Sequence, residues 1–179
     1  MYTTVSIALY KRSDGHSSPR SYHFAVVVSV GEPQGLVDLY QIENTSMARE
    51  DWYLSHHTQE SPGGRLHIGQ SKGLAGCIII GTAEDTSVEE VGDFIKQYEW
   101  APRDSSDWHL PARTRRWTCA SWALRVIHDL VTSQTLSTVI DVHDLNNLYY
   151  RLYRAGFRLE NESLGEMRGG IRLAVAASL

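Results

Sequence analysis

Hydrophobic positions along the chain repeat with two different periods. Val5-Ser6-Ile7-Ala8-Leu9-Tyr10 alternates with a period of two and predicts a strand, followed by a polar stretch at 11–20. Tyr22-His23-Phe24-Ala25-Val26-Val27-Val28-Ser29-Val30 is β-branched and almost continuously apolar, the pattern of a central strand buried on both faces. The turn Gly31-Glu32-Pro33-Gln34-Gly35 leads into a second strand, Leu36-Val37-Asp38-Leu39-Tyr40-Gln41-Ile42-Glu43, and so short a link predicts an antiparallel hairpin. Residues 44–64 show no period. A loop of that length in a small domain is expected to be functional or mobile, bordering a cleft. Residues 65–70 and 76–81 bracket Lys72-Gly73 and predict a further hairpin, with Cys77-Ile78-Ile79-Ile80 a buried strand and Cys77 a core residue.

The second half of the chain carries the helical period. Ser87-Val88-Glu89-Glu90 is a capping box opening a helix whose inner face is Val88, Val91, Phe94, Ile95 and Tyr98. Residues 100–111 hold two prolines and two tryptophans and read as a loop. The stretch around which the rest is organised runs from Arg115 to Leu130. In it Cys119, Ala123, Val126, Ile127 and Leu130 form one apolar stripe, with Thr118 placed as the N-cap. A Ser/Thr-rich connection follows at 132–138. The last clear helix is expected near 142–155, with Leu145, Leu148, Tyr149 and Leu152 inward and Gly156 at its end. The tail at 171–176 reads as a final strand or a loose end. There is no internal repeat and no domain boundary, so residues 1–179 are expected to form a single domain.

Composition narrows the function classes. With 179 residues, 42% of them hydrophobic, the chain can bury a sizeable core. A net charge of −4 argues against nucleic acid as a partner. The short cluster Arg113-Thr114-Arg115-Arg116 reads instead as a local surface or substrate-anion feature. No apolar run reaches the length of a membrane span, and no secretory signal is evident at the start. Two cysteines do not make a disulfide framework, so a soluble cytoplasmic protein with free thiols is expected.

A thiol in the first turn of a helix meets unpaired N–H groups and the positive end of the helix dipole, both of which favour thiolate. Arg115 and Arg116 stand just upstream. The plain alternative is that Cys119, like most free cysteines on an apolar stripe, acts as a small hydrophobe. Catalysis needs a histidine brought close by the fold, and the early strand offers His23. Under period-two alternation across the predicted hairpin, Gln41 and Glu43 share a face with His23, so either can hold the imidazole in its working tautomer. Tyr53, Trp108 and Trp117 lie in loops or at element edges and are candidates for the walls of a substrate cleft, with Arg116 beside them. His56, His57 and His67 match no metal-ligand spacing, so no metal and no cofactor are expected.

A histidine strand (Tyr22-His23-Phe24-Ala25-Val26-Val27-Val28), a second strand (Leu36-Val37-Asp38-Leu39-Tyr40-Gln41) and then a cysteine at a helix start (Thr118-Cys119-Ala120-Ser121-Trp122-Ala123-Leu124) resemble the circularly permuted branch of the papain-like fold. That branch includes the lecithin:retinol acyltransferase family and the PPPDE deSUMOylating isopeptidases. The arrangement is also similar to small fungal proteins with a His-Trp-type strand and an Asn-Cys-Gln-type helix start. The match departs in two places: Thr118 stands where those families usually place asparagine, and the second strand has no second histidine. The resemblance implies an α+β fold, an antiparallel sheet packed on the cysteine-bearing helix. It also implies acyl transfer through a thioester on a small-molecule or peptide substrate, as a hydrolase, an acyltransferase or a cyclase. Two other classes stay open: a non-catalytic binding module on the same fold, and a cofactor-free lyase or isomerase.

Overall fold

A computed structural model describes residues 2–12, 22–44, 52–98, 118–161 and 163–179. The alternating and continuous apolar runs of the first half become β1 (Thr3–Lys11), β2 (Tyr22–Val30), β3 (Leu36–Asn44), β4 (Trp52–His57), β5 (Leu66–His67) and β6 (Leu74–Ala83). The later strands are shorter: β7 (Ser137–Thr138), β8 (Glu166–Arg168) and β9 (Ile171–Val175). They build one sheet in the order β4-β3-β2-β1-β6-β9-β8, with β5 on β3 and β7 on β6. Every pairing is antiparallel except β6 with β9, which is parallel, so the sheet is mixed rather than wholly antiparallel as expected. A parallel neighbour needs a long crossover, and here the helices between β6 and β9 supply it.

The sheet is buried on both faces, which explains why β2 shows no polar side. Phe24, Val26 and Val28 face the helices together with Ile7, Leu9, Tyr40, Ile42 and Ile78. Ala25 and Val27 face the other way, with Val37, Leu39 and Cys77 beneath Ile68. Side chains of this size contribute about 1.5–3 kcal/mol each when fully buried, so the two layers jointly fix β2 at the centre.

Among the described residues, three helices cover the first face: α1 (Val88–Lys96), α2 (Cys119–Thr132) and α3 (Leu145–Glu160). The capping box at the start of α1 is formed in both directions: Ser87 Oγ accepts the Glu90 N–H at 3.1 Å and Glu90 Oε2 accepts the Ser87 N–H at 2.8 Å. Thr118 caps α2 by accepting the Ser121 N–H at 3.3 Å. Trp122, fully buried, donates its indole N–H to the Tyr98 carbonyl at 3.0 Å and ties α2 to the end of α1. No helix among the described residues is long and apolar enough to cross a membrane.

Several local expectations change once partners are chosen. The stretch 44–64 is not all loop, because 52–57 forms β4 on the edge of the sheet beside β3. The segments 65–70 and 76–81 do not form a hairpin. Leu66 and His67 pair with β3, while β6 pairs with β1, whose long apolar edge outcompetes a two-residue neighbour. The tail is a strand, β9, added parallel to β6. Helix α3 begins at Leu145, where Asp144 Oδ1 caps the Asn147 N–H at 3.0 Å, and runs through Gly156 to Glu160. Gly156 is there for clearance and not as a cap, since a Cβ on it would lie 2.8 Å from the Tyr22 ring.

Candidate active site

Ahead of Val26 the sheet opens. The β2–β3 ladder pairs Val28 with Asp38, Val27 with Leu39 and Val26 with Tyr40, and goes no further. The Phe24 backbone N–H, beside this opening, favours the ionised Cys119 sulfur. His23 shares its strand face with Ala25 and Val27, away from the helices, whereas Cys119 belongs to the helix layer. The opening is therefore where a side chain from each layer can meet, and there the His23 imidazole and the Cys119 thiol lie close enough to shift each other's titration.

Cys119 is the first residue of α2, directly after the Thr118 cap, and is 2% exposed. Arg12, one residue past the end of β1, donates from Nη2 to its sulfur at 3.5 Å. Burial pushes the thiol up, but the His23 hydrogen bond and charge, the Arg12 guanidinium and the Phe24 N–H together bring it down to about 7. Cys77 has burial and no such partners, which pushes it up to about 12. His23 moves the opposite way from its thiol partner. Burial lowers it, but the hydrogen bond and charge of Cys119 and the Gln41 hydrogen bond outweigh that and the Arg12 repulsion, so it ends raised. The two shifts are reciprocal, because each group favours the charged form of the other.

The hydrogen-bond directions behind His23 follow from the far end of the chain of contacts. Glu43 is a carboxylate and only accepts. Tyr53 donates its hydroxyl to Glu43 Oε2 at 2.7 Å, and the Gln41 amide donates to Glu43 Oε1 at 2.6 Å. With its NH2 turned to Glu43, Gln41 presents its carbonyl oxygen to His23 Nε2 at 2.9 Å. His23 Nε2 must then carry a proton, which leaves Nδ1 for the thiol. Register explains the line-up: counted on past the last pair, Gln41 and Glu43 stand abreast of Ala25 and His23, and Glu43 pairs with Tyr53 across to β4.

Of the residues singled out in the sequence, Cys119, His23, Gln41, Glu43 and Tyr53 are brought into one line. Tyr53, expected on the cleft wall, holds Glu43 in place. Trp108, Trp117 and Arg116 lie outside the described residues. Two members had no sequence signal. Arg12 stood in a polar stretch indistinguishable from a turn. Tyr149, assigned to the core by its helical spacing, stacks on Phe24 with ring centres 6.1 Å apart and lies close enough to Cys119 to feel its charge.

Among the described residues no group of three or more His, Cys, Asp and Glu is placed to hold a metal, and His56 is engaged by Ser61 at 3.0 Å. A cleft of about 420 Å³ lies elsewhere, between Leu164, Arg168, Leu173 and Val175, with neither a cysteine nor a histidine in its lining. No protein-family model matches the chain, and neither a curated protein nor a solved structure matches it.

Proposed function

We propose that the protein is a thiol-dependent acyl-transfer enzyme of the permuted papain-like kind, with its sheet packed on the helix that bears the nucleophile Cys119. His23 is the general base and then acid, and Gln41 and Glu43 are positioning residues. The observation that supports this reading is the direction of the hydrogen bonds, Tyr53 and Gln41 to Glu43 and His23 Nε2 to Gln41, which leaves Nδ1 as the ring nitrogen available to the thiol. The Cys119 thiolate adds to the acyl carbon, and the open N–H groups at the start of α2 stabilise the resulting oxyanion. Collapse breaks the bond to the leaving group, which takes the proton from His23, and leaves a thioester. The acceptor then attacks the thioester while Nδ1 takes its proton, and the sulfur departs. Water as acceptor makes a hydrolase, an amine or alcohol an acyltransferase, and a nucleophile within the substrate a cyclase.

The low exposure of Cys119 favours a second reading, a binding module that keeps the fold without turnover. One experiment separates them. Native protein is treated with p-nitrophenyl acetate and, separately, with iodoacetamide across pH, and the adducts are mapped. The enzyme reading expects an acetyl group on Cys119, Cys77 unlabelled, and an alkylation midpoint near 7 that His23→Ala moves back toward about 8.5, the free-thiol value. Labelling of Cys77 first, or an identical profile in His23→Ala, overturns it. A folded protein inert to both reagents is the binding module.

A further inference from the structure

Beyond lowering the thiol, the Arg12 guanidinium takes no part in the steps above, and the charges around the sulfur show what else it can do. With the thiol ionised, the site holds one anion, Cys119, against two cations, Arg12 and protonated His23. The Glu43 carboxylate adds a second anion behind His23, where its two oxygens accept from Gln41 and Tyr53 and not from Arg12. When the sulfur is acylated its charge vanishes, and His23 gives its proton to the leaving group. Arg12 is then the one cation left beside the sulfur among the described residues. No carboxylate among those residues forms an ion pair with it, whereas Arg65 and Arg168 each bridge two. Arg12 is exposed and Cys119 is buried, so an incoming solute meets the guanidinium before the sulfur.

We propose that Arg12 is the specificity-determining residue of the site: its guanidinium, 3.5 Å from the Cys119 sulfur, anchors a carboxylate or similar compact anion carried next to the reacting carbonyl of the acyl donor. A planar fork with five donors can hold such a group in two parallel hydrogen bonds while one N–H remains on the sulfur. The distance suits an anion one or two bonds from the carbon under attack. Acyl donors of that kind are selected over neutral ones of the same size.

This inference rests on Cys119 being the nucleophile, and two alkylating probes keep the two claims apart. Iodoacetate and iodoacetamide form the same S–C bond with loss of iodide, and differ in that one bears a carboxylate on the reacting carbon. Second-order rates for Cys119 are measured with both at about pH 10, where the thiolate is formed irrespective of its neighbours. Changes in sulfur reactivity common to both reagents cancel in the ratio of the rates. A free thiolate repels iodoacetate. Wild-type Cys119 is expected to show an iodoacetate-to-iodoacetamide ratio roughly tenfold above that of a small free thiol. Arg12→Gln should return the ratio to the free-thiol value, with Arg12→Lys between the two. A ratio that Arg12→Gln does not change, or a wild-type ratio no higher than the free thiol's, overturns the anchor while leaving Cys119 as nucleophile. No reaction of Cys119 with either probe overturns both.

Discussion

Gln41→Leu is the sharpest test of the hydrogen-bond directions. The substitution keeps most of the side-chain volume but removes the acceptor at 2.9 Å from His23 Nε2 and the donor to Glu43. A hydrogen bond to an ionised partner is worth about 1.5–3 kcal/mol, and because His23 is half-buried the lower end applies. About 1.5 kcal/mol taken from the imidazolium lowers the population of the thiolate–imidazolium pair roughly tenfold. His23 falls toward its ordinary range and Cys119 rises toward that of a free thiol, so the effect depends on pH in a stated direction. Iodoacetamide alkylation of Cys119 should slow about tenfold near pH 7 and less than about threefold near pH 10, where the thiolate forms without a proton acceptor. A thermal melt on the same sample confirms that the variant is folded. An equal slowing at both pH values, or none at either, would show that Gln41 does not hold His23 in its working tautomer.

Two predictions concern the frame that carries the site. Gly156→Ala in mid-helix would ordinarily gain about 1 kcal/mol, but the new Cβ would lie 2.8 Å from a Tyr22 ring held by Glu160 at 2.7 Å and packed edge-on against Tyr153. Overpacking of about 1–3 kcal/mol outweighs the gain, so urea unfolding should show a net loss of about 1 kcal/mol, reversed when Tyr22 is Leu; a more stable single variant refutes the account. Ser87→Ala removes the cap at the start of α1 and should cost about 1 kcal/mol by the same measurement, with no change in Cys119 alkylation, because α1 carries none of the residues that touch the sulfur. Unaltered stability would show that the capping box contributes nothing to the fold.

Features governed by a few neighbouring residues were legible in the chain itself. The almost continuously apolar run 22–30 announced a strand buried on both sides, Ser87 and Glu90 announced a helix start, and Thr118 placed Cys119 in the first turn of α2. Each depends on interactions spanning one helical turn or a two-residue repeat, which sequence displays directly. Parity across the short turn after β2 likewise set Gln41 and Glu43 on the face of His23. Only the tertiary structure decided which of the two touches the imidazole, because that depends on where the β2–β3 ladder ends and how far the strands part beyond Val26. The same holds for the strand partners. Residues 74–83 pair with β1 and β9 and not with their sequence neighbours, since the choice is made by comparing whole buried faces brought from distant parts of the chain. Gly156 read locally as a helix end, and its real constraint is a tyrosine 134 positions earlier in the chain. Arg12 and Tyr149 stand beside the thiol for the same reason: a charge or a ring acts through space over a few ångströms, and the sequence records no such distances until the chain has packed.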